Sequence, residues 1–444
     1  MFALVDGNNF YVSCEQVFQP RLKGRPVVVL SNNDGCAIAR SDEAKALGVK
    51  MGHPYFQMVE DFPHAGIEAL SANFVLYGDM SARMMQVASA LGHGQEIYSI
   101  DESFISLHGV PGDLTRRGFA VRARLLQWLG LPCGIGMGST KTLAKLANHV
   151  AKSAIRKPGS YPAELGGVCN LAALPASDLD VVLQATPVGE VWGIGRKISR
   201  QLVAAGVCTA LDAARMSPAA VRARWSVVLE RTIRELQGQP CQDLQEVAPD
   251  KQEIACTRSF GRPVTALADL IQAVTEFASR AAEKLRAQQH VAGQIMVFIR
   301  TSPFRKTAQY GNAVTVPLVT PTAGSVELVE AACAGLQVVY REGFQYAKAG
   351  VMLMDLRPQG QVQGELDLYG PTVEVSPGVQ CCELGRGSAR LMAALDALND
   401  RFGKGAVRLA SAGVQDQPRR WDMRQERRTP QYTTSWSDIP VAAA

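Results

Sequence analysis

No apolar run in this chain approaches the ~18 residues that a membrane span needs; runs such as Ile295 to Ile299 stop far short. The opening Met-Phe-Ala-Leu-Val-Asp has neither a basic n-region nor an apolar h-region. A secretory signal is therefore not expected, and the sequence reads as that of a cytoplasmic protein with no membrane partner. Its 10 cysteines, scattered from Cys14 to Cys382, include no CxxC pair. They read as reduced thiols, which excludes a disulfide frame and a zinc site. An excess of one charge is scarce too. Lys+Arg number 46 against 41 Asp+Glu, a net +5, which serves a nucleic-acid partner only if it gathers on one face. No repeat of fixed period is present. With 47% hydrophobic and 20% charged residues, global disorder is excluded. The 444 residues suggest roughly three domains by size alone.

What is present alternates. A strand, Phe2 to Val5, ends at Asp6. Pro20, Pro26, Asn32-Asn33-Asp34-Gly35 and Pro54 break the stretch from Phe10 to Ser71. Its clearest elements are a strand (Val27 to Leu30) and a helix (Ser41 to Leu47, stopped by Gly48). A helix (Leu76 to Leu91), two strands (Glu96 to Ile100, Phe104 to Leu107), a helix (Leu114 to Leu129), a strand (Gly134 to Met137) and a helix (Lys141 to Ala151) follow. That order argues an α+β or α/β unit with the early segment inserted after its first strand. Breakers at Lys157-Pro158-Gly159 and Gly166-Gly167 mark a boundary before a small helical region that runs to Gly238. The apolar-poor Gln239 to Lys251 reads as a linker. From Ile254 to Asp355 the order strand, helix, strand, strand, helix, strand is the split βαβ pattern of ferredoxin-like folds. A Gln/Gly/Pro-rich stretch, a short helix (Gly387 to Asn399) and a polar tail close the chain.

Acids at strand ends are the strongest chemical feature. Asp6 closes the first strand, and Asp101-Glu102 lie between two others. Hard carboxylate oxygens suit Mg²⁺, which combines a few of them with substrate phosphates; two such ions about 3.5–4 Å apart clamp an in-line phosphoryl displacement. The plain alternative is a solvated Asp-Glu turn. On the helix after Thr140, Lys141 and Lys145 share a face, and Lys152 follows three turns along from Lys141. A cationic face near acidic metal ligands is what a triphosphate needs; a solvated helix face is the alternative, as it is for Lys45. Gly193-Ile194-Gly195 before Arg196-Lys197 exposes amides at a helix N-terminus, as in a helix-hairpin-helix that grips a nucleic-acid backbone. A tight structural turn is the other reading. Gly134, Gly136 and Gly138 lie in a strand and serve close packing.

Seven stretches together resemble the Y-family DNA polymerases, specifically the UmuC-type catalytic subunit of bacterial DNA polymerase V. They are Phe2 to Tyr11, Ser31 to Cys36, Ala44 to Gly52, Tyr98 to Glu102, Thr140 to Lys152, Val191 to Arg196 and Ser259-Phe260-Gly261. The resemblance implies a right-hand α+β polymerase. Its expected parts are a ferredoxin-like palm (1–10 and 72–160), small fingers (11–71) and a helical thumb with the helix-hairpin-helix (161–238). A little finger of ferredoxin-like order (250–356) and a C-terminal partner-binding region (357–444) complete it. It also implies error-prone translesion synthesis in the SOS response. Asp6, Asp101, Glu102 and the Gly7 carbonyl would hold two Mg²⁺ ions, with Glu102 nearest the attacking primer hydroxyl. Tyr11 would be the steric gate that excludes a ribose 2′-hydroxyl. Lys45, Lys152 and Arg40 would bind the dNTP; Asp42 stands where many relatives carry Tyr. Gly193, Gly195, Arg196, Lys197, Arg258 and Arg300 would contact primer-template DNA.

The resemblance further implies a UmuD-type dimer, RecA and the sliding clamp as partners. Glu365-Leu366-Asp367-Leu368-Tyr369 is similar to the clamp-binding pentapeptide Gln-Leu-x-Leu-Phe, with Leu366, Leu368 and Tyr369 as its pocket-filling residues and both ends altered. The arginine-rich stretch Arg419 to Arg428 suits DNA, a protein partner or solvent. Two rival readings remain: a nucleotide cyclase on a palm-like fold, and a degenerate DNA-binding subunit. The helix-hairpin-helix and the basic 250–356 unit oppose the first. The intact acids and Tyr11 oppose the second.

Overall fold

The computed structural model describes residues 1–360, 384–413 and 419–440. They fall into two units, Met1–Ala248 with Glu426–Ala444, and Pro249–Gln425. In the first unit the chain forms β1 (Phe2–Gly7), α1 (Phe10–Phe18), β2 (Val27–Leu30), β3 (Ala37–Arg40), α2 (Asp42–Ala46), α3 (Tyr55–Asp61), β4 (Glu68–Ser71) and α4 (Phe74–Ala88). Next come β5 (Gly94–Ile97), β6 (Glu102–Ser106), α5 (Leu114–Leu129), β7 (Cys133–Gly138), α6 (Lys141–Arg156) and β8 (Val168–Asn170). The main sheet has the order β5-β6-β1-β7-β8, with β1 antiparallel to both of its neighbours. Alternation along β1 decides what each face buries. Ala3 and Val5 join Phe10, Leu76, Met80 and Leu125 in the largest core of this unit, whereas Leu4 packs with Phe104 and with Ala144 of α6. Asp6 therefore emerges on the α6 face.

Residues 11–71, read from sequence as broken and loop-rich, hold a second sheet, β3-β2-β4. Val27 and Val29 point into the large core, while Val28 and Leu30 face Ala37, Ala44, Val49 and Met58. Four-residue strands between breakers carry too little alternation to be read locally; pairing supplies what the pattern lacks. The expected junction after residue 10 runs through α1, whose Val12 and Cys14 are buried in the core of the main sheet. Likewise β8 lies past the expected boundary at 160, yet pairs parallel with β7.

The helical region comprises α7 (Ala176–Ala185), α8 (Arg196–Ala204), α9 (Ala210–Ala214), α10 (Pro218–Arg224) and α11 (Val227–Leu236). Pro187 caps a single 3-10 turn, Val188–Glu190; Gly189 and Gly193 stop it from propagating. The presumed linker is anchored over part of its length. Glu235 Oε1 accepts the amides of Cys241 and Gln242 at 3.0 and 3.1 Å, and Glu96 Oε2 accepts that of Gln245 at 2.7 Å.

The second unit runs β9 (Ile254–Val264), α12 (Leu267–Ala287), β10 (His290–Thr301), β11 (Gly311–Thr322), α13 (Ser325–Val339) and β12 (Tyr346–Pro358), followed by α14 (Leu384–Phe402). Its sheet order is β11-β10-β12-β9 with all neighbours antiparallel. Each crossover helix thus skips one strand, which is the split order expected. Ile295, Val297, Ile299, Ala349 and Val351 face α12 and α13. The segment read as a polar tail is partly core. Trp421 is fully buried in the second unit, edge-on to Phe277 at 5.8 Å. The expected clamp motif, Glu365 to Tyr369, lies outside the described residues. The described cysteines are all free, and no described helix is long and apolar enough to cross a membrane.

Candidate active site

Strand register brings the acids together. Asp6 on β1 stands opposite Glu102 on β6, and directly opposed residues of an antiparallel pair share a face with Cβ atoms about 5 Å apart. The Gly7 amide donates to the Asp101 carbonyl at 2.9 Å, fixing Asp101 beside them. Ser99 Oγ donates to Asp101 Oδ1 at 2.7 Å. Burial pushes the Asp6 carboxyl up to about 6; Lys152 opposes that rise, while Glu102 and Asp101 add to it.

Helix α6 supplies the counter-charges. Thr140 caps it, accepting the Leu143 amide at 3.2 Å. Residues 141, 145, 148 and 152 then follow helical spacing down the face that meets the sheet. Lys141 pairs with the buried Glu96, Lys145 Nζ reaches Glu102 Oε2 at 3.0 Å, Asn148 donates to the Gly134 carbonyl at 2.8 Å, and Lys152 Nζ reaches Asp6 Oδ2 at 2.6 Å. Such close seating requires the β7 glycines. A Cβ on Gly136 would lie 2.7 Å from the Ala147 carbonyl carbon, and closer still to the Asn148 nitrogen and Ala144 oxygen. The packing role expected for Gly134, Gly136 and Gly138 is the one the structure gives them.

A cleft of about 380 Å³ opens at these strand ends, lined by Asp6, Gly7, Asn9, Phe10, Tyr11, Ile38, Ala39, Arg40, Lys45, Met51, Asp101, Lys152 and Arg156. Nearly every residue expected to bind metal or triphosphate therefore shares one hollow, with Glu102 beside it on Lys145. The Tyr11 ring stacks on Tyr77 with centroids 4.6 Å apart; burial, then Asp101, raises its hydroxyl pKa. Arg40 Nη1 donates to the Val49 carbonyl at 2.7 Å. Asn9 and Arg156 escape the sequence reading. Asn9 Oδ1 accepts from both Lys45 Nζ and Arg156 Nη2, and Asp42 Oδ1 receives Lys45 at 3.0 Å and Arg156 at 3.5 Å. Asp42 thus orders two cations at the cleft. Arg156 is four residues beyond Lys152 on α6, and that helical spacing was the signal for it.

Three carboxylates and a backbone carbonyl are a donor set of hard oxygens that fits Mg²⁺. Burial chiefly raises Asp6, and Glu102 and Asp101 add to it; a divalent cation would relieve that added repulsion. Lysines meet that demand here: Asp6 and Glu102 are each ion-paired, and no described group of three acidic, His or Cys side chains forms a ready metal cluster.

The glycine turn connects to the same centre. Gly193 has φ 88° and Gly195 caps α8, leaving Arg196 and Lys197 exposed. Trp192 lies 5.9 Å from Phe104 and 5.7 Å from Tyr98, and Lys145 Nζ sits 4.4 Å over the Tyr98 ring. In the second unit the two expected DNA-contacting arginines separate. Arg300 is exposed on the face opposite the helices and pairs in register with Lys348. Arg258 pairs with the buried Ala349 and lies over Phe277 and Trp421, so it belongs to the helix-covered face. Burial, then Arg280, lowers its pKa. Ile254 and Cys256 at two-residue spacing already marked that face. Lys348, missed from sequence, is the open-face cation beside Arg300.

Residues 5–149 match the impB/mucB/samB family, residues 251–366 its C-terminal domain, and residues 389–442 a domain of unknown function. Protein UmuC of Salmonella typhimurium is 46% identical over 442 residues, covering 99% of both chains. The chain belongs to the impB/mucB/samB family of UmuC-type, Y-family DNA polymerases. DNA polymerase IV of Pelotomaculum thermopropionicum is 27% identical over 432 residues, 93% of this chain and 96% of that one. A solved Y-family DNA polymerase chimera shares the fold with a TM-score of 0.63 at 17% identity, covering 81% of this chain and 100% of that one.

Proposed function

We propose that the cleft at the ends of β1 and β6 is the nucleotidyl-transfer site of an error-prone translesion DNA polymerase. The chain is a DNA-directed DNA polymerase that extends primers past damaged template bases. The observation that carries the site reading is the convergence of Asp6, Asp101, Tyr11, Lys45 and Lys152 on one cleft, with Glu102 beside it. Asp6, Gly7, Asp101 and Glu102 are the residues that would hold two Mg²⁺ ions. When bound, these ions supply Lewis-acid stabilisation of charge on the phosphate oxygens. Lys152, Lys45, Arg40 and Arg156 bind and orient the triphosphate, holding it for in-line attack by the primer 3′-oxygen on the α-phosphorus as pyrophosphate departs. Tyr11, which lines the same cleft, acts as the gate that excludes a ribose 2′-hydroxyl.

The main sheet with α4, α5 and α6 acts as palm, the β3-β2-β4 sheet as fingers, α7 to α11 as thumb and the second unit as little finger. Gly193, Gly195, Arg196 and Lys197 grip the DNA backbone, as do Arg300 and Lys348 on the open sheet face, without reading sequence. The protein works in the cytoplasm on nucleoid DNA during the SOS response, with a UmuD-type dimer, RecA and the sliding clamp. Extension of a primer across an abasic site, with Mg²⁺ and dNTPs and with or without those partners, tests this reading. Extension past the lesion is expected. No extension under any condition would defeat it, and a cyclic-nucleotide product would mark a cyclase.

A further inference from the structure

The ring of Tyr11 rests on a buried polar chain that begins in the C-terminal segment. Tyr77 is fully buried and stacks on Tyr11 with the ring planes 17° apart. Its hydroxyl donates to Glu15 Oε1 at 2.6 Å; Glu15, one turn beyond Tyr11 on α1, is fully buried as well. The same oxygen accepts the Thr429 hydroxyl at 3.1 Å. Asn73, the N-cap of α4, donates to the hydroxyl and carbonyl of Thr429 and to the Pro430 carbonyl, each at 3.1 Å. Beyond it, Tyr432 stacks on Phe18 at the end of α1, centroids 4.8 Å apart. Before it, Ser71 and Arg427 exchange two hydrogen bonds of 3.0 Å. Residues 427–432 are thus fastened to both helices, α1 and α4, that carry the Tyr11–Tyr77 stack.

Among the described residues Glu15 Oε2 has no hydrogen-bond partner, so Tyr77 and Thr429 are the two donors that fix this carboxylate. Burial raises the Glu15 pKa, and those two hydrogen bonds oppose the rise. Loss of either donor favours a neutral or displaced carboxyl, and Tyr77, bonded to it, must follow. Tyr11 has that ring as its stacking platform.

We propose that the C-terminal segment sets sugar selection: Thr429 is a positioning residue that holds the Tyr11 ring in the cleft through Glu15 and Tyr77. This rests on the reading of Tyr11 as the gate. The test measures single-nucleotide incorporation by the full-length protein with its partners, comparing kcat/KM for an rNTP and the matching dNTP. Thr429→Val is expected to raise the rNTP/dNTP ratio about fivefold, the factor a single modest hydrogen bond is worth. Thr429→Ser restores the wild-type ratio. Tyr77→Phe keeps the stack, loses the hydroxyl and gives the same rise; the double variant adds little, because both act through one carboxylate. Tyr11→Ala is the reference. If it leaves the ratio unchanged, the gate reading itself fails. If it raises the ratio while Thr429→Val and Tyr77→Phe, with unaltered Tm, stay at the wild-type ratio, the positioning proposal is overturned.

Discussion

Gly136→Ala probes how α6 places its lysines. The added Cβ would sit 2.7 Å from the Ala147 carbonyl carbon and nearer still to two other backbone atoms of the helix. Comfortable contacts to carbon lie at about 3.5–4.0 Å, so α6 must retreat by on the order of 1 Å. No side-chain rotation relieves the clash, because every atom met is backbone. Overpacking of this kind costs about 1–3 kcal/mol, and a 1 Å misplacement of catalytic groups costs on the order of 10²-fold in rate. Gly134→Ala is the internal control. Its Cβ would meet Lys152 Cγ at 3.0 Å, Lys152 Cε at 3.1 Å and Asn148 Nδ2 at 3.4 Å, all side-chain atoms that can give by rotation. Chemical unfolding and primer extension are measured on both variants. Gly136→Ala should lose about 3 kcal/mol and about 10²-fold in extension rate, with Gly134→Ala within about 1 kcal/mol and tenfold of wild type. Equal effects from the two, or a fully active Gly136→Ala, would refute the seating argument.

Glu235 is fully buried and accepts four hydrogen bonds: from the Thr142 amide and hydroxyl at 2.9 and 2.8 Å, and from the Cys241 and Gln242 amides. Glu235→Ala should lower stability by at least about 3 kcal/mol, since four donors lose their acceptor and even a typical hydrogen bond is worth about 0.5–1.5 kcal/mol; an unchanged Tm would show that the anchor does not hold. Trp421→Ala should cost about 3–5 kcal/mol through a cavity beside Phe277. That loss should appear in the unfolding transition of the second unit in urea, and a wild-type midpoint would place Trp421 outside its core.

Much of this molecule was readable where local pattern and tertiary context agree. The helix from Leu114 to Leu129 has its stop written in Gly130, which takes φ 68°. Asp6, Asp101 and Glu102 were visible as acids at strand ends, though their opposition across β1 and β6 is a matter of register. The small β3-β2-β4 sheet was hidden because its four-residue strands depend on partners distant in sequence. The resemblance groups Arg258 with Arg300, but alternation along β9 puts Arg258 with Cys256 and leaves Arg300 and Lys348 on the open face. Nothing local marks Trp421 or Thr429 as buried. Their surroundings are polar and arginine-rich, and their partners, Phe277 and Glu15, lie far away along the chain.

The central claim is that the acids at the end of β1 and β6 perform the chemistry. Asp101→Ala, assayed for primer extension and for primer-template binding side by side, tests it most directly. Extension should be abolished while DNA affinity stays within a few-fold of wild type, because the backbone contacts lie elsewhere. Extension at the wild-type rate by Asp101→Ala would contradict the assignment.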